Sequence, residues 1–185
     1  SIAELLLSGC TTTSDHFYPF PPRTAVRTQA VLEAAESLGI RIHACRGSMS
    51  VGQSAGGLPP DVCVQDEKTI LADCVRALDQ FHDAGVGAMR RIDLAPCSPF
   101  SVSEGLSRDT AALARERGAL LHTHAAETLD EERYCIEKFR MRPIEWLEEL
   151  CWLGSDVYLA HCVHLSDADI ARLAAVLLVL ADCPC

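Results

Sequence analysis

Short apolar runs that end in polar residues alternate along this chain with amphipathic helical stretches, and that alternation leaves few folds open. The pattern predicts strands over 10–16, 40–46, 91–98, 119–125 and 157–162. Between them it predicts helices over 24–38, 68–84, 103–117 and 167–174, and one or two helices over 129–150 with a restart at Pro143. Within 68–84, residues Ile70, Leu71, Cys74, Leu78 and Phe81 fall on one helical face. Ser166 is placed to cap the last helix. The apolar run "AAVLLVLA" reads as a buried element, and one more strand is expected near it.

Strict β-then-α order means a parallel sheet with right-handed crossovers. The strands are nearly continuous apolar runs, as expected when both faces of a sheet are covered. An open doubly wound sheet and a (β/α)8 barrel both fit this order. The polar residues favour the barrel. They close almost every strand: Asp15/His16, His43/Cys45/Arg46, Cys97/Ser98, His122/His124/Glu127 and His161/His164. A barrel brings all those ends to one mouth, whereas an open sheet gathers only those at its switch point. No G-x-G-x-x-G follows the first strand, and there is no P-loop. Five or six strands fall short of eight. The expectation is therefore a partial (β/α)8 TIM-type barrel, with residues 1–185 forming one incomplete domain.

Composition removes several classes of function. A chain of 185 residues that is 49% apolar can bury a core. A formal charge of −10, with no basic patch, argues against nucleic acid as a partner. No apolar run is long enough to span a bilayer, so no membrane association is expected. Ten cysteines are scattered about one per element, without the paired C-x2-C spacing of a zinc knuckle. They read as free thiols in a reducing, cytoplasmic compartment. The first residue is Ser1, inside a helical pattern, and the chain stops at "DCPC", so a piece of a longer protein is expected.

The stretch "LHTHAAET" concentrates the chemistry. A neutral imidazole such as His124 is a good ligand for a borderline divalent metal. Glu127, three residues on, can reach a substrate held over that metal and act as a proton shuttle. His122 shares the strand face of His124. A hydrogen-bonded histidine pair at a strand end explains the same letters equally well. His161 ends the next strand, where it would lie beside His124 in a barrel; alone it would read as a satisfied strand-end histidine. His164 reads as a residue at the start of a helix, and His82 as a surface residue within one. His16 and His43 are further pocket candidates. Cys97, in "APCSPFS", has no local base and reads as a pocket-lining residue rather than a nucleophile. Phe100 can stack on a ring or simply pack. The Gly/Ser-rich loop after Arg46 suits either backbone approach to a ligand or contact with a neighbouring subunit. The H-x-E plus P-C-x-x-C signature of cytidine-type zinc deaminases is absent.

The motifs "GCTTTSDHFY", "HACRGSMSVGQSAGGLPPD", "LAPCSPFSVS", "LHTHAAETLDEE" and "LAHCVHLSDADIARLA" together resemble the amidohydrolase superfamily, in its branch of purine and triazine aminohydrolases. The resemblance covers nearly the whole chain. It implies a distorted (β/α)8 barrel with one divalent metal, usually zinc, with iron as an alternative. It assigns His124 as a metal ligand. Glu127 becomes the residue that hydrogen-bonds the ring and shuttles a proton. His161 becomes the histidine that orients the attacking water or polarises the substrate. Cys97 falls where ring specificity is set, and His122 becomes a supporting residue. The implied reaction is hydrolytic deamination of an oxidised purine, 8-oxoguanine plus water giving urate and ammonia. A hydroxyatrazine-type triazine, guanine or another N-heterocycle is the alternative substrate, and a non-catalytic fragment is the alternative of another class. The family tendency is a homo-oligomer.

The family's H-x-H pair and its last-strand Asp fall outside this sequence, and Asp182 stands where the family has a His. The chain by itself is therefore expected to bind metal weakly, to be inactive and to expose aggregation-prone sheet edges.

Overall fold

The computed structural model describes residues 2–20, 28–176 and 179–181. The expected start of the second helix at 24–27 and the "DCPC" tail with Asp182 lie outside the described residues. The elements run α1 (Ile2–Leu7), β1 (Thr12–Ser14), α2 (Thr28–Leu38), β2 (Arg41–Ser48), α3 (Glu67–Phe81), β3 (Arg90–Pro96), α4 (Glu104–Arg117), β4 (Leu121–Ala125), α5 (Leu129–Phe139), α6 (Pro143–Glu149), β5 (Val157–His161), α7 (Asp167–Ala175) and β6 (Val179–Ala181). Two short 3-10 turns, Gln53–Ala55 and Asp61–Cys63, interrupt the loop after β2.

The six strands among the described residues form one parallel sheet in the order β1-β2-β3-β4-β5-β6. A doubly wound sheet would reverse its order at a switch point. Here the order never reverses, which is the sequence of a barrel wall. The sheet is a partial TIM-type barrel with β1 and β6 at its edges.

Local chemistry sets the helix boundaries. Asp66 caps α3 by accepting from the Thr69 N–H, Ser103 caps α4 at Leu106, and Thr128 caps α5 at Glu131. Ser166 caps α7, and Asp169 answers with a reciprocal bond to the Ser166 N–H. Gly118 closes α4 in the left-handed conformation, at φ 65°. Pro143 occupies the first turn of α6, where its missing N–H costs nothing.

The two faces of the sheet are different. Ile42, Ala44, Ile92, Leu94, Leu121, Ala125 and Leu159 belong to one buried apolar cluster with Ile70, Cys74, Leu106, Ala114 and Trp146 of the helices. Each fully buried large aliphatic side chain there is worth ~1.5–3 kcal/mol. The alternate residues Ser14, His43, Cys45, Asp93, His122, His124 and Tyr158 share the opposite face, which is the barrel interior. The sheet therefore keeps its apolar side for the helices and its polar side for chemistry. His82 is a correction to the sequence reading. It is not a surface residue within a helix: it follows α3 as its C-cap, is half-buried, and its Nδ1 accepts from the Ile92 N–H at 3.1 Å.

Candidate active site

The C-terminal ends of the strands meet as a barrel wall requires, and a cleft of about 180 Å³ opens there. It is lined by Tyr18, Cys97, Ser98, His124, Glu127 and His161. All four residues singled out in the sequence, Cys97, His124, Glu127 and His161, are therefore in one place. A larger cavity of about 280 Å³ lies at the strand starts, against Thr12, Leu120 and Val157. Of the histidines considered, only His43 borders it.

His124 is held by its backbone and its ring. Its N–H donates to the Cys97 carbonyl at 3.1 Å, which stitches β4 to the end of β3. Its Nδ1 lies 2.7 Å from the same carbonyl, so Nδ1 carries the proton and Nε2 keeps a free lone pair. His122 repeats the device one pleat earlier. Its Nδ1 donates to the Tyr158 carbonyl at 2.9 Å, and its ring stacks on Tyr158 with centroids 4.3 Å apart. The His122 Nε2 is buried and has no hydrogen-bond partner. His16, from the end of the β1 segment, packs on His122 at 4.1 Å between centroids.

These three histidines form a group whose ligand atoms all lie within 4.8 Å of one another. Burial lowers the pKa of each, that of His122 to about 3, and the neighbouring histidines push the same way. Neutral imidazoles with one nitrogen tied back and the other bare are the form in which a metal takes them. The donor set and the orphaned Nε2 of His122 thus fit a borderline divalent ion, for which His16, His122 and His124 could serve as ligands. His122, expected only as a support, is a full member of the group, and so is His16.

Glu127 and His161 flank His124 on the open side. The His161 ring stacks on His124 with centroids 5.5 Å apart, and its Nε2 lies 3.6 Å from Glu127 Oε1. That is too long for a hydrogen bond and leaves both groups free to engage a third. Both are presented by left-handed backbone: Ala126 has φ 53°, His161 φ 71° and Cys162 φ 53°. Non-glycine residues rarely hold such angles, and they gather at functional sites. Burial pushes the Cys97 thiol up to about 11, so it stays protonated and is a wall of the cleft rather than a nucleophile.

The remaining expectations separate cleanly. His43 points into the barrel but bonds Asp93, at 3.1 Å. The Tyr158 hydroxyl donates to the same Asp93 oxygen at 2.9 Å and meets Ser14 Oγ at 2.9 Å. Phe100 packs on Tyr134 with centroids 4.8 Å apart and is not part of the cleft wall. The loop after β2 is pinned to the β3–α4 connection by the Ser50 and Val51 N–H groups, which donate to Ser101 O. It contributes no residue to the cleft wall. The sequence reading missed Tyr18, Asp93 and Tyr158. For the last two a signal existed: each is a polar residue at every second position of an otherwise apolar strand.

Comparison with known proteins agrees with this geometry. The profile of the Amidohydrolase family matches residues 1–185. The chain is 45% identical, over 184 residues, to an 8-oxoguanine deaminase of Pseudomonas aeruginosa, covering 100% of this chain and 41% of that protein. It is 39% identical to a hydroxydechloroatrazine ethylaminohydrolase of Pseudomonas sp. strain ADP, covering 100% of this chain and 38% of that protein. The crystal structure of atrazine chlorohydrolase from Arthrobacter aurescens TC1 complexed with zinc superposes with a TM-score of 0.92 at 34% identity, over 98% of this chain and 40% of that one. The chain thus spans about two fifths of the length of these relatives. Among the described residues no helix is long and apolar enough to cross a membrane.

Proposed function

The chain belongs to the amidohydrolase family, and from that premise we propose that it is the greater part of the barrel wall of a metal-dependent hydrolytic deaminase acting on 8-oxoguanine. The observation that carries the reading is the cleft itself, where His124, Glu127, His161 and Cys97 converge around a histidine with a bare Nε2. Identity to the 8-oxoguanine deaminase of Pseudomonas aeruginosa over the whole chain supports the substrate.

His124 would hold the metal, with His122 and His16 beside it, and zinc is the ion that this donor set favours. A bound divalent metal supplies acidified water near neutral pH and a charge that stabilises oxyanions. The protein supplies the rest. The purine ring lies in the cleft with its amino-bearing carbon toward His124 and one edge against Cys97. His161 orients the attacking water. As water adds to that carbon, Glu127 takes one water proton and delivers it to the adjacent ring nitrogen; the second proton, on the hydroxyl of the adduct, is then passed to the amino group as the C–N bond breaks, leaving the ring carbonyl and ammonia. The balance is 8-oxoguanine plus water giving urate plus ammonia. On this reading residues 1–185 are a segment of a single catalytic barrel domain.

A triazine aminohydrolase is the second reading, favoured by the 39% identity to the hydroxydechloroatrazine enzyme and by the zinc-bound triazine hydrolase fold. Ammonia release by the full-length protein, measured on 8-oxoguanine, guanine and a hydroxy-triazine, separates the two. Preference for 8-oxoguanine supports the first. Preference for the triazine replaces it with the second, and no release from any of them sinks both.

A further inference from the structure

The carboxylate of Glu131 lies beneath the site, outside the cleft wall and only 1% exposed. Its Oε1 accepts from the Ala126 N–H at 2.8 Å, and its Oε2 accepts from the Glu127 N–H at 2.9 Å. The Glu131 N–H in turn donates to Thr128 Oγ1 at 3.1 Å. An ordinary capping box returns its acidic side chain to the capping residue's own N–H. Here the carboxylate, with the Thr128 N–H also close to it, bonds the N–H groups of the two residues before Thr128. Those two residues are the turn that leaves β4, and Ala126 stands there in the left-handed region at φ 53°. A non-glycine residue pays about 1 kcal/mol or more for that conformation. The turn is tied from its other side as well: the His164 N–H donates to Ala126 O at 2.9 Å, and the Cys162 N–H to Ala125 O at 3.0 Å. No ion pair among the described residues involves Glu131. Its charge is answered by backbone amides alone, an arrangement that fixes geometry rather than adding a surface contact. Burial and the nearby Glu127 raise its pKa, as expected for a carboxylate taken out of water.

We propose that Glu131 is a positioning residue for Glu127, its carboxylate holding the Ala126–Glu127 peptide in the left-handed turn that aims Glu127 into the cleft beside His124 and His161. The inference rests on Glu127 being the proton shuttle. A glutamine at 131 keeps one acceptor but turns an NH2 group toward a backbone N–H, so one bond is lost and two donors face each other. The released turn relaxes and Glu127 swings off line. Since a displacement of about 1 Å at a reacting group can cost ~100-fold, Glu131→Gln is expected to lower kcat by roughly that factor, with KM and metal content nearly unchanged.

A double-mutant cycle in the full-length, metal-loaded protein tests this, with ammonia release from 8-oxoguanine as the assay. The expected result is non-additivity: Glu131→Gln slows the wild-type background strongly and the Glu127→Gln background hardly at all. Equal losses in both backgrounds, or no loss in either, overturn the proposal. Full activity of Glu127→Gln alone is a different result, because it removes the shuttle role on which the inference rests. If Glu131→Gln does not fold, or no substrate is turned over, amide hydrogen exchange of the unmodified protein decides. Slow exchange at Ala126 and Glu127, matching the β4 amides, supports the clamp; exchange as fast as an open loop overturns it.

Discussion

Gly47 is where the loop carrying His16 and Tyr18 crosses the sheet, and Gly47→Ala tests how closely that crossing determines the site. A Cβ at position 47 would stand 2.5 Å from Tyr18 Cβ and 2.6 Å from Tyr18 Cα, with the Phe17 carbonyl oxygen closer still. Carbon atoms rest at about 3.5–4.0 Å, so the loop must retreat by roughly 1 Å. It cannot lift freely. Phe20, at its far end, is 2% exposed and lies under the Arg46 guanidinium at 4.1 Å. Arg46 is itself fixed to Asp73 at 2.6 Å and to Gln65 at 3.1 Å. Overpacking of this kind costs ~1–3 kcal/mol, and losing the Gly47 N–H bond to Phe17 O, now 3.0 Å, adds about 1 kcal/mol. The expected destabilisation is about 2–4 kcal/mol, or a Tm lower by roughly 4–16 °C for a chain of this size. Gly105→Ala is the internal control. Its nearest neighbour is Ser103 Oγ at 3.6 Å, an ordinary contact, and alanine in a helix gains up to ~1 kcal/mol over glycine. Urea unfolding followed by circular dichroism measures both. If Gly47→Ala unfolds within about 0.5 kcal/mol of the parent, as an unconstrained surface change does, the loop is not held by this crossing and the argument fails.

Three further outcomes are expected. In the 185-residue chain, His16→Ala, His122→Ala and His124→Ala should each weaken zinc binding by at least about tenfold, the loss that even an outer partner of a metal ligand causes; titration calorimetry reads it, and an unchanged affinity removes that histidine from the group. Burial, with Asp93 nearby, raises the Asp15 pKa to about 6, while its Oδ1 accepts from the Cys45 N–H and its Oδ2 is buried without a partner. The folded state therefore binds this proton more tightly than the unfolded chain. Stability should fall as pH rises from about 4 to 6, by at most about 3 kcal/mol, and urea midpoints for Asp15→Asn should lack that fall. Among the described cysteines, Cys151 is exposed whereas Cys45, Cys74 and Cys135 are buried; burial raises the Cys74 thiol to about 11 and the Cys135 thiol to about 12. Brief iodoacetamide treatment of the native chain should label Cys151 and spare those three, as peptide mass spectrometry will show.

The fold was legible because alternation and capping are local. The helix expected over 103–117 is α4, Glu104–Arg117, which the structure bounds with Ser103 and Gly118. Strand order was legible too, since polar residues at successive strand ends make sense only if those ends converge. The histidine cluster was not fully legible. His16 lies more than a hundred residues from His122 in sequence, and their ring contact exists only because β1 and β4 stand across one curved wall. His82 departs from the sequence reading because α3 ends at Phe81 and the His82 ring turns inward to accept from the Ile92 N–H.

Glu131 shows the limit most clearly. As letters, "THAAETLDEE" offers several carboxylates after a histidine, all equally suited to a solvated helix start. Asp130 and Glu131 are neighbours in the first turn of α5, yet Asp130 makes an exposed ion pair with Arg133 and Glu131 is buried under the turn. What separates them is one step of 100° around the helix, which sends the second carboxylate beneath β4 and the first to water. Sequence spacing supplied the helix. It did not supply the left-handed step at Ala126, because alanine gives no local sign of it. The chemistry of the cleft and the geometry that aims it are thus written differently: the reactive side chains in the strand-end motifs, and their aim in a backbone turn visible only when β4, α5 and the end of β5 are in place together.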